Sequence, residues 1–345
     1  MSSSALAYRL DPWNVSELDF PSRGSDLQKL KFMLQYAVLA PSSHNSQPWL
    51  FSLMEDAVEL YADRQRSLPR TDPEDRELIM SCGAALLFLR VALHHFTYTG
   101  EVEHFPEPHD QNLLARVRLG GREVPSPENE ELFHAIDKRR TNRQPFERWK
   151  VAAALVNGLE SAAEAEGAWF RDVRDQEERD AVAALVAEGD RAQMSDRTFR
   201  LELAAWMRPN LSGSNDGIPG YGLGLGNLAS YAGPLLVRTF DMGERRAARD
   251  HEIAEGSPLL AVLATDYDRP ADWLTAGQAL GRVLLRARAD GVSASYLNRP
   301  IEVAELRPRL RDALGLAGFP QVLLRLGYGA DPRPTPRRPL EEVLI

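Results

Sequence analysis

Hydroxyl and amide side chains are concentrated in the segment 41–49, Pro-Ser-Ser-His-Asn-Ser-Gln-Pro-Trp, which follows a predicted helix and precedes a predicted strand. Such side chains can donate and accept hydrogen bonds at the polar edge of a planar ring. The prolines hold the backbone extended for such contacts. An ordinary capped connection is the alternative, because serine, asparagine and proline are common in all loops. These residues alone leave both interpretations open.

A second group of reactive side chains is the basic hexapeptide 138–143, Lys-Arg-Arg-Thr-Asn-Arg, at the end of a short predicted helix. Arginine presents planar, paired N–H donors that match phosphate oxygens, and a neighbouring hydroxyl and amide add further donors. The alternative is a solvated basic turn. The formal net charge of the chain is −9, so a basic hexapeptide is unusual in it. Phosphate binding and a solvated turn therefore have about equal weight.

The C-terminal stretch 331–345 supplies a third group, Arg333, Arg337 and Arg338. The prolines of this tail exclude a helix, so the tail is predicted to be extended. An extended arm that ends in arginines can close over an anion. Taken alone, the same pattern is more typical of a frayed basic terminus.

Helices and strands alternate around these segments. Before the proline-rich stretch 123–129, hydrophobic periodicity predicts a helix over 25–39 with Ser25 as its N-cap, strands at 49–53 and 57–61, a helix over 73–97 and a strand at 113–119. After that stretch, the same signals predict helices at 129–139, 151–166, 273–290 and 306–314, a charged helical region at 176–208, and strands at 169–173, 259–265, 293–297 and 321–327. Residues 209–234 are rich in glycine, serine and asparagine and are predicted to be an irregular loop, either a lid or a plug.

The two parts of the chain look related. Gly83 lies in a predicted helix that is followed by the run LLARVRLGG, and Gly277 lies in one that is followed by VLLRLGYG. The shared order favours an internal duplication. The predicted organisation is therefore an N-terminal arm at 1–24, a first half at 25–125 and a second half at 126–345.

Composition limits the classes of function. The acidic balance argues against nucleic acid as a partner, since phosphate backbones attract basic surfaces. The single cysteine, Cys82, excludes an internal disulfide and a multi-cysteine metal site, and the histidines lack paired metal spacing, so no metal is expected. No signal peptide or membrane-spanning run is predicted, and the expected location is the cytoplasm.

Three segments together resemble a known family. The run APSSHNSQPW resembles the Ala-Pro-Ser-x-x-Asn-x-Gln-Pro-Trp signature of the FMN-dependent nitroreductases, and RRTNR resembles the basic segment of that family. DGVSASYLNRP and the ending LLRLGYGADPRPTPRRPLEEV resemble its C-terminal part. The layout is similar to the two-repeat, Acg-like branch of the family, and the resemblance covers most of residues 27–345. It implies an α+β fold in which two related repeats, each a mixed central sheet flanked by helices, form a pseudo-dimer within one chain.

The resemblance also implies a cofactor site. Family members are usually homodimers with FMN between the subunits, so this chain is expected to be a pseudo-dimeric monomer or a homodimer. The phosphate and the polar edge of FMN would be held by Arg139, Arg140, Thr141, Arg143 and Arg337 of the second half. The residues that would line the ring are Pro41, Ser42, Ser43, Asn45 and Gln47 of the first half and the backbone of Leu297 and Asn298.

The chain departs from the family pattern at a second, symmetry-related position. The first half lacks an Arg-Arg-Thr-x-Arg equivalent, and in the second half Glu166-Gly167-Ala168 leads directly into Trp169 without a serine–asparagine loop. One complete site and one degenerate site per chain are therefore expected.

The implied reaction is a ping-pong hydride transfer from NAD(P)H through FMN to a nitroaromatic, a quinone-like compound or another small acceptor. The flavin carries the chemistry, so no catalytic side chain is assigned. Family membership alone does not fix the reaction. A flavin-dependent dehydrogenase that uses oxygen, a flavin-sequestering protein and a flavin-free pseudoenzyme whose cavity is closed by the lid remain as alternatives.

Overall fold

The first half of the chain, residues 25–125, folds into one sheet and two helices, and the first helix of the second half follows them. A computed structural model describes residues 12–345, so part of the predicted arm at 1–24 lies outside the described residues. The elements are α1 (Asp26–Ala37), β1 (Trp49–Leu53), β2 (Ala57–Ala62), α2 (Arg76–His95), β3 (Tyr98–His104), β4 (Leu113–Arg122) and α3 (Pro127–Ile136). The predicted N-cap is confirmed: the Ser25 Oγ accepts from the Gln28 backbone N–H, and the Gln28 side chain accepts from the Ser25 N–H.

The second half repeats this arrangement with a long insertion. Its elements are α4 (Ala153–Glu164), β5 (Trp169–Asp172), α5 (Gln176–Ser195), α6 (Arg197–Trp206), β6 (Met207–Arg208), β7 (Ile218–Pro219), α7 (Asn227–Thr239), α8 (Gly243–Glu255), β8 (Leu259–Thr265), α9 (Pro270–Ala289), β9 (Ser293–Tyr296), α10 (Arg299–Glu302), α11 (Leu306–Ala313) and β10 (Phe319–Gly327). β1 and β2 are joined by a tight turn, whereas residues 173–258, hereafter the insertion, lie between β5 and β8.

The two sheets have the same strand order. In the first sheet it is β1-β2-β4-β3, and in the second it is β5-β8-β10-β9, with every neighbouring pair of these strands antiparallel. Each sheet also has one parallel bridge, Phe51 to Leu344 in the first and Thr141 to Ala294 in the second. The α+β prediction of two related repeats with mixed sheets is confirmed by this repeated topology.

The halves are joined by two long central helices, α2 and α9, whose residues are mostly buried. They meet at glycines: a Cβ on Gly277 would lie 2.1 Å from the Met80 carbonyl oxygen, and one on Gly83 would lie 2.3 Å from the Leu274 carbonyl oxygen. Both contacts join residues that correspond across the repeat. A single cluster of buried apolar side chains draws on both sheets, so the two halves share one core and form an intrachain pseudo-dimer.

The helix α2 is the one segment of residues 12–345 that is long and apolar enough to cross a membrane. Its most apolar window has a mean hydropathy of 1.6, and 83% of that window is buried inside the protein. The apolar surface of α2 is therefore covered by the rest of this chain.

The sequence predictions of local structure were wrong at several points. The strand β3 was not predicted, and β4 continues through the glycines at 120–121 instead of ending there. The predicted loop at 209–234 contains the strand β7, a 3-10 turn at Gly220–Leu223 and the start of α7. Packing overrides composition here, because Val237 of α7 joins a buried apolar cluster with Met207 and Phe199, although Pro234 lies inside the helix.

Candidate functional site

The segment 41–48, hereafter the Ser–Asn loop, has an unusual backbone. His44, Asn45 and Gln47 have φ angles of 52°, 55° and 51°, in the left-handed region that non-glycine residues seldom adopt. The loop is held in this shape by the Ser42 side chain, whose Oγ accepts from the Gln47 N–H at 2.9 Å. Backbone strain of this kind is concentrated at functional sites, where the surrounding structure maintains it.

Two predicted ring contacts, Asn45 and Gln47, use their side chains to hold other parts of the protein. The Asn45 amide donates to the carbonyl oxygens of Gly217 at 3.1 Å and Pro336 at 3.0 Å. The Gln47 side chain donates to the Asn215 carbonyl at 2.8 Å and accepts from the Arg338 N–H at 2.7 Å. These two residues therefore join the insertion and the C-terminal tail to the Ser–Asn loop.

The basic segment of the second half meets this loop. Arg139 is buried and donates to the Leu39 carbonyl at 3.4 Å, just before the Ser–Asn loop. Arg337 donates to the same carbonyl at 3.3 Å and to the Asn45 Oδ1 at 2.7 Å. The juxtaposition on which the predicted composite site depends is therefore present in the structure.

The other members of the basic segment lie on either side of Arg139. The Arg140 guanidinium stacks 3.8 Å from the Trp13 ring centroid and donates to the Arg139 carbonyl at 2.8 Å. Thr141 forms a parallel bridge to Ala294 at the start of β9. Arg140 is thus directed towards the N-terminal arm, whereas Thr141 is tied to the second sheet.

Arg143 has an environment unlike that of a structural arginine. Its side chain is half-buried, yet it forms no hydrogen bond and no ion pair with any residue in the range 12–345. Burial lowers its pKa, and the nearby cations Arg246 and Arg299 lower it further. A guanidinium that is removed from water without a partner is costly, so an anion at this position would stabilise the protein.

The whole arginine cluster, Arg139, Arg140, Arg143 and Arg337, lacks paired carboxylates among the described residues. Burial lowers the pKa of Arg140 to about 10, and it lowers the pKa values of the other three. The Nε atoms of Arg139 and Arg337 are buried without hydrogen-bond partners. Unpaired buried donors with net positive charge match the needs of a phosphate group.

The residues expected to line the flavin ring, hereafter the ring side of the site, lie where the two halves meet. The Leu297 N–H donates to the Leu323 carbonyl at 2.9 Å, and the Leu297 side chain is in the core, so neither is free for a ligand. The Asn298 amide donates to Glu77 at 3.1 Å, and Glu77 also accepts from the Ser43 hydroxyl. Ser43 and Asn298, predicted from different halves, are therefore brought together by Glu77.

Sequence reasoning missed Glu77 and Tyr296. Burial raises the pKa of the Tyr296 phenol, which lies in electrostatic contact with Arg139, Arg143, Arg337 and Glu77. Tyr296 therefore lies within electrostatic reach of both the arginine cluster and Glu77. The sequence signal for Glu77 was its place in the first turn of an otherwise apolar helix.

The insertion covers this site. The Gly217 N–H donates to the Asn45 carbonyl at 3.2 Å, and the glycine-rich turn at Gly220–Leu223 lies against Arg143. The Tyr221 hydroxyl donates to the Pro334 carbonyl at 2.7 Å, and the Arg333 guanidinium lies 4.6 Å from the Tyr221 ring centroid. The insertion and the tail therefore close the site together.

The symmetry-related position is filled by ion pairs. Glu166, at the turn between α4 and β5, is buried and accepts from Arg90 of α2 and from Arg282 of α9, the latter at 2.6 Å. No serine–asparagine loop is present at this turn. The turn that corresponds to the Ser–Asn loop in the repeated topology therefore holds a carboxylate between two arginines.

Replacing Glu166 by glutamine is expected to lower the free energy of unfolding by about 2–3 kcal/mol, because both arginines lose their shared anion. The loss stays below that of a fully buried pair, since both arginines retain contact with water. Urea unfolding measures the change, and flavin binding should not change. Glu188→Gln, which breaks the exposed pair with Arg309, is the control and should cost about 1 kcal/mol or less. Equal losses in the two variants would contradict the prediction.

Comparison with known proteins places the chain in a family. No protein-family model matches it. It is 32% identical over 324 residues to Rv3131 of Mycobacterium tuberculosis (strain ATCC 25618 / H37Rv), covering 92% of each chain, and 30% identical over 318 residues to acg of the same strain, covering 91% of this chain and 94% of acg. Both carry NAD(P)H nitroreductase in their names.

Among solved structures, the FMN and NADPH-dependent nitroreductase NfnB from sphigopyxis sp. strain HMH aligns with a TM-score of 0.42 and 20% identity, covering 62% of this chain and 97% of NfnB. The NfnB of Mycobacterium smegmatis in complex with NADPH aligns with a TM-score of 0.37 and 16% identity, covering 62% and 96%. The sequence relatives match nearly the full length of the chain at 30–32% identity. On that sequence similarity, the chain belongs to the NAD(P)H nitroreductase family.

Proposed function

We propose that the protein is an FMN-dependent oxidoreductase that uses NAD(P)H to reduce a small acceptor, a nitroaromatic or quinone-like compound, by ping-pong hydride transfer. The observation that carries the proposal is the arginine cluster, whose buried or half-buried guanidiniums lack carboxylate partners among residues 12–345 and adjoin the Ser–Asn loop of the other half. Family membership supports the same class of reaction.

The phosphate of FMN would be held by Arg139 and Arg143, with Arg337 closing the cluster from the tail. Arg143 supplies a free guanidinium, whereas Arg337 keeps one contact with the Ser–Asn loop while its Nε remains unpaired. Arg140 is proposed to act indirectly, because it is stacked on Trp13 and adds positive charge beside Arg337, whose guanidinium lies 5.0 Å from the centroid of the same ring. This assignment uses the donors that the fold leaves unsatisfied.

The isoalloxazine ring would lie between the Ser–Asn loop and the segment that follows β9. When bound, FMN supplies reversible acceptance of a hydride, which no side chain of the protein can provide. The residues that line the ring would exclude water and orient it: Pro41, Ser42 and Ser43 from the loop, and Asn298 from the second half. Asn45 and Gln47 would act by fixing the loop, since their side chains already bind the insertion and the tail.

The proposed organisation is one site per polypeptide, with residues 25–125 supplying the loop and residues 126–345 supplying the cluster. One FMN per chain is therefore expected, because the symmetry-related position contains the Arg90–Glu166–Arg282 ion pairs. Flavin absorbance divided by protein concentration, measured after saturation with FMN and removal of the excess, tests this. Two flavins per chain would contradict it.

A flavin-sequestering protein is the second candidate function. It is supported by the hydrogen bonds between Gly217 and the Ser–Asn loop and by the contact of Tyr221 with the tail, which close the site. Anaerobic addition of NADH or NADPH to the flavin-loaded protein separates the two. Bleaching of the flavin followed by reoxidation with a nitroaromatic or a quinone supports the oxidoreductase, whereas a flavin that neither donor bleaches supports sequestration.

A further inference from the structure

Glu77 occupies the junction of the two halves. It lies in the first turn of α2 and is 3% exposed. One carboxylate oxygen accepts from the hydroxyl of Ser43, in the Ser–Asn loop of the first half, and the other accepts from the side-chain amide of Asn298 in the second half at 3.1 Å. Both partners belong to the proposed ring side of the site.

The partners of Glu77 are themselves fixed. The Asn298 Oδ1 accepts from the Leu323 N–H of β10 at 2.9 Å, so its amide has one orientation, with the NH₂ group towards Glu77. Ser43 has one hydroxyl hydrogen, and that hydrogen is given to Glu77. The protonation of Glu77 therefore decides whether the Ser43 hydroxyl can donate to anything else.

Resting on the proposed function, we infer that Glu77 is the positioning residue that holds Ser43 and Asn298 against the flavin, and that its protonation controls the hydrogen bond which Ser43 offers to the ring. Glu77 does not itself contact the flavin. It acts through Ser43 within the first half, and its bond with Asn298 extends across the boundary between the two halves.

The direction of the coupling follows from hydrogen-bond chemistry. An ionised carboxylate only accepts, so Ser43 must donate to it and presents lone pairs to the ligand. A protonated carboxyl group can donate to the Ser43 oxygen, which frees the hydroxyl hydrogen for an acceptor on the ring. The oxidised flavin edge is rich in acceptor atoms, and a carboxylate also repels the anionic FMN. Both effects favour FMN binding when Glu77 is protonated.

The surroundings of Glu77 place this change near neutral pH. The pKa of Glu77 is raised to about 7, mainly by burial and also by Glu302 and Asp72, while Arg76 and the Ser43 hydrogen bond oppose the rise. The charged or titratable groups that face Glu77 are Arg76 of its own helix, Asp72 before that helix, Tyr296 of β9 and Glu302 of α10. Because the folded pKa is raised, the ionised carboxylate lowers stability above about pH 7, and this cost disappears as the pH falls towards the unfolded value.

The test measures the affinity of the full chain for FMN and for riboflavin between pH 6 and pH 8. Riboflavin lacks the phosphate, whose own protonation near pH 6 would otherwise contribute. For wild type, both affinities are expected to fall severalfold over this range, by at most about tenfold per pH unit for one proton. Glu77→Gln, which resembles the protonated group, should bind riboflavin tightly at both pH values with a flat profile, and should bind FMN with only the slope that its phosphate contributes.

Two further variants complete the test. Glu77→Leu removes the hydrogen bonds to Ser43 and Asn298 and should weaken both flavins at every pH. Glu59→Gln is the control, because Glu59 is a buried carboxylate paired with Arg116 in the first sheet, away from the site. It should keep the wild-type profile.

The outcomes separate the inference from the proposed function. A wild-type chain that binds flavin, with a Glu77→Gln profile of the same slope, would overturn the inference and leave the proposed function standing. A chain that binds neither FMN nor riboflavin would overturn both. Loss of the slope in Glu77→Gln but not in Glu59→Gln supports the assignment, and unfolding temperatures at both pH values identify any variant that is merely unstable.

Discussion

Replacing Arg143 by alanine is expected to weaken FMN binding by about 10- to 150-fold, because a hydrogen bond to a charged group contributes about 1.5–3 kcal/mol. Arg143 suits this test because no described residue binds its guanidinium, so its removal breaks no hydrogen bond within residues 12–345. Arg139 and Arg337 both contact the Leu39 carbonyl, so their removal would also disturb the loop. Fluorescence quenching of FMN on titration with protein measures the affinity.

Riboflavin provides the internal control for this prediction. If Arg143 contacts the phosphate, Arg143→Ala should leave riboflavin affinity near the wild-type value. Arg309→Ala, which removes an exposed arginine paired with Glu188, should change neither affinity. An Arg143→Ala protein that binds FMN as tightly as wild type would remove Arg143 from the proposed phosphate site. Equal losses for FMN and riboflavin would place Arg143 at the ring instead.

The elements of the fold that the sequence predicted well are those whose burial gives a clear period. The strands at 49–53 and 259–265 agree with β1 and β8 to the residue, because each is a short apolar run with turn residues beside it. The strand β3 was missed because only its first residue, Tyr98, is buried, while Glu101, Glu103 and His104 are exposed on the edge of the sheet. An exposed edge strand leaves little hydrophobic pattern to detect.

The insertion was harder to predict for a different reason. α7 carries glycine, proline and several exposed apolar residues, so its local sequence favours a loop. α8 is highly charged and was not predicted as a helix at all. α8 packs along α5, which is distant in the sequence. This tertiary contact stabilises the helix, although its local sequence has little propensity to form one.

The candidate site was predicted as a set of segments, but the partners of its side chains were not. The resemblance gave the two motifs, and the structure brings them together at the Leu39 carbonyl. The resemblance could not show that the Asn45 side chain binds the insertion, or that the Asn298 side chain binds Glu77. Such assignments depend on residues more than 150 positions away along the chain, and no local pattern encodes them.

The C-terminal tail shows how the two halves depend on each other. It leaves the second half and pairs with β1 of the first, where the Phe51 N–H donates to Val343 and the Phe51 carbonyl accepts from Ile345. On its way it passes the Ser–Asn loop, where Arg337 and Arg338 bind Asn45 and Gln47. The strained loop of one half is therefore maintained by the tail of the other, and a site built between the halves needs both.

The two halves also depend on each other at the crossing of α2 and α9, where the helix backbones are in contact. Gly277→Ala at this crossing is expected to lower the free energy of unfolding by about 3 kcal/mol or more. The new Cβ would lie 2.1 Å from the Met80 carbonyl oxygen and 2.7 Å from the Met80 Cα, and a backbone cannot rotate away as a side chain can. Overpacking usually costs about 1–3 kcal/mol where neighbours can adjust. Here the two central helices must separate.

Gly158→Ala is the matched control, because Gly158 also lies inside a helix, α4, and its nearest contact would be the Arg286 Nε at 3.9 Å. Alanine has the higher helix propensity, so this variant should gain up to about 1 kcal/mol. Urea unfolding of the two variants thus gives opposite signs for the same chemical change. If Gly277→Ala were as stable as Gly158→Ala, the helices would not be in contact at this crossing. The inference that the two halves share one core would then be wrong, and so would the proposal of a flavin site between halves held at a fixed separation.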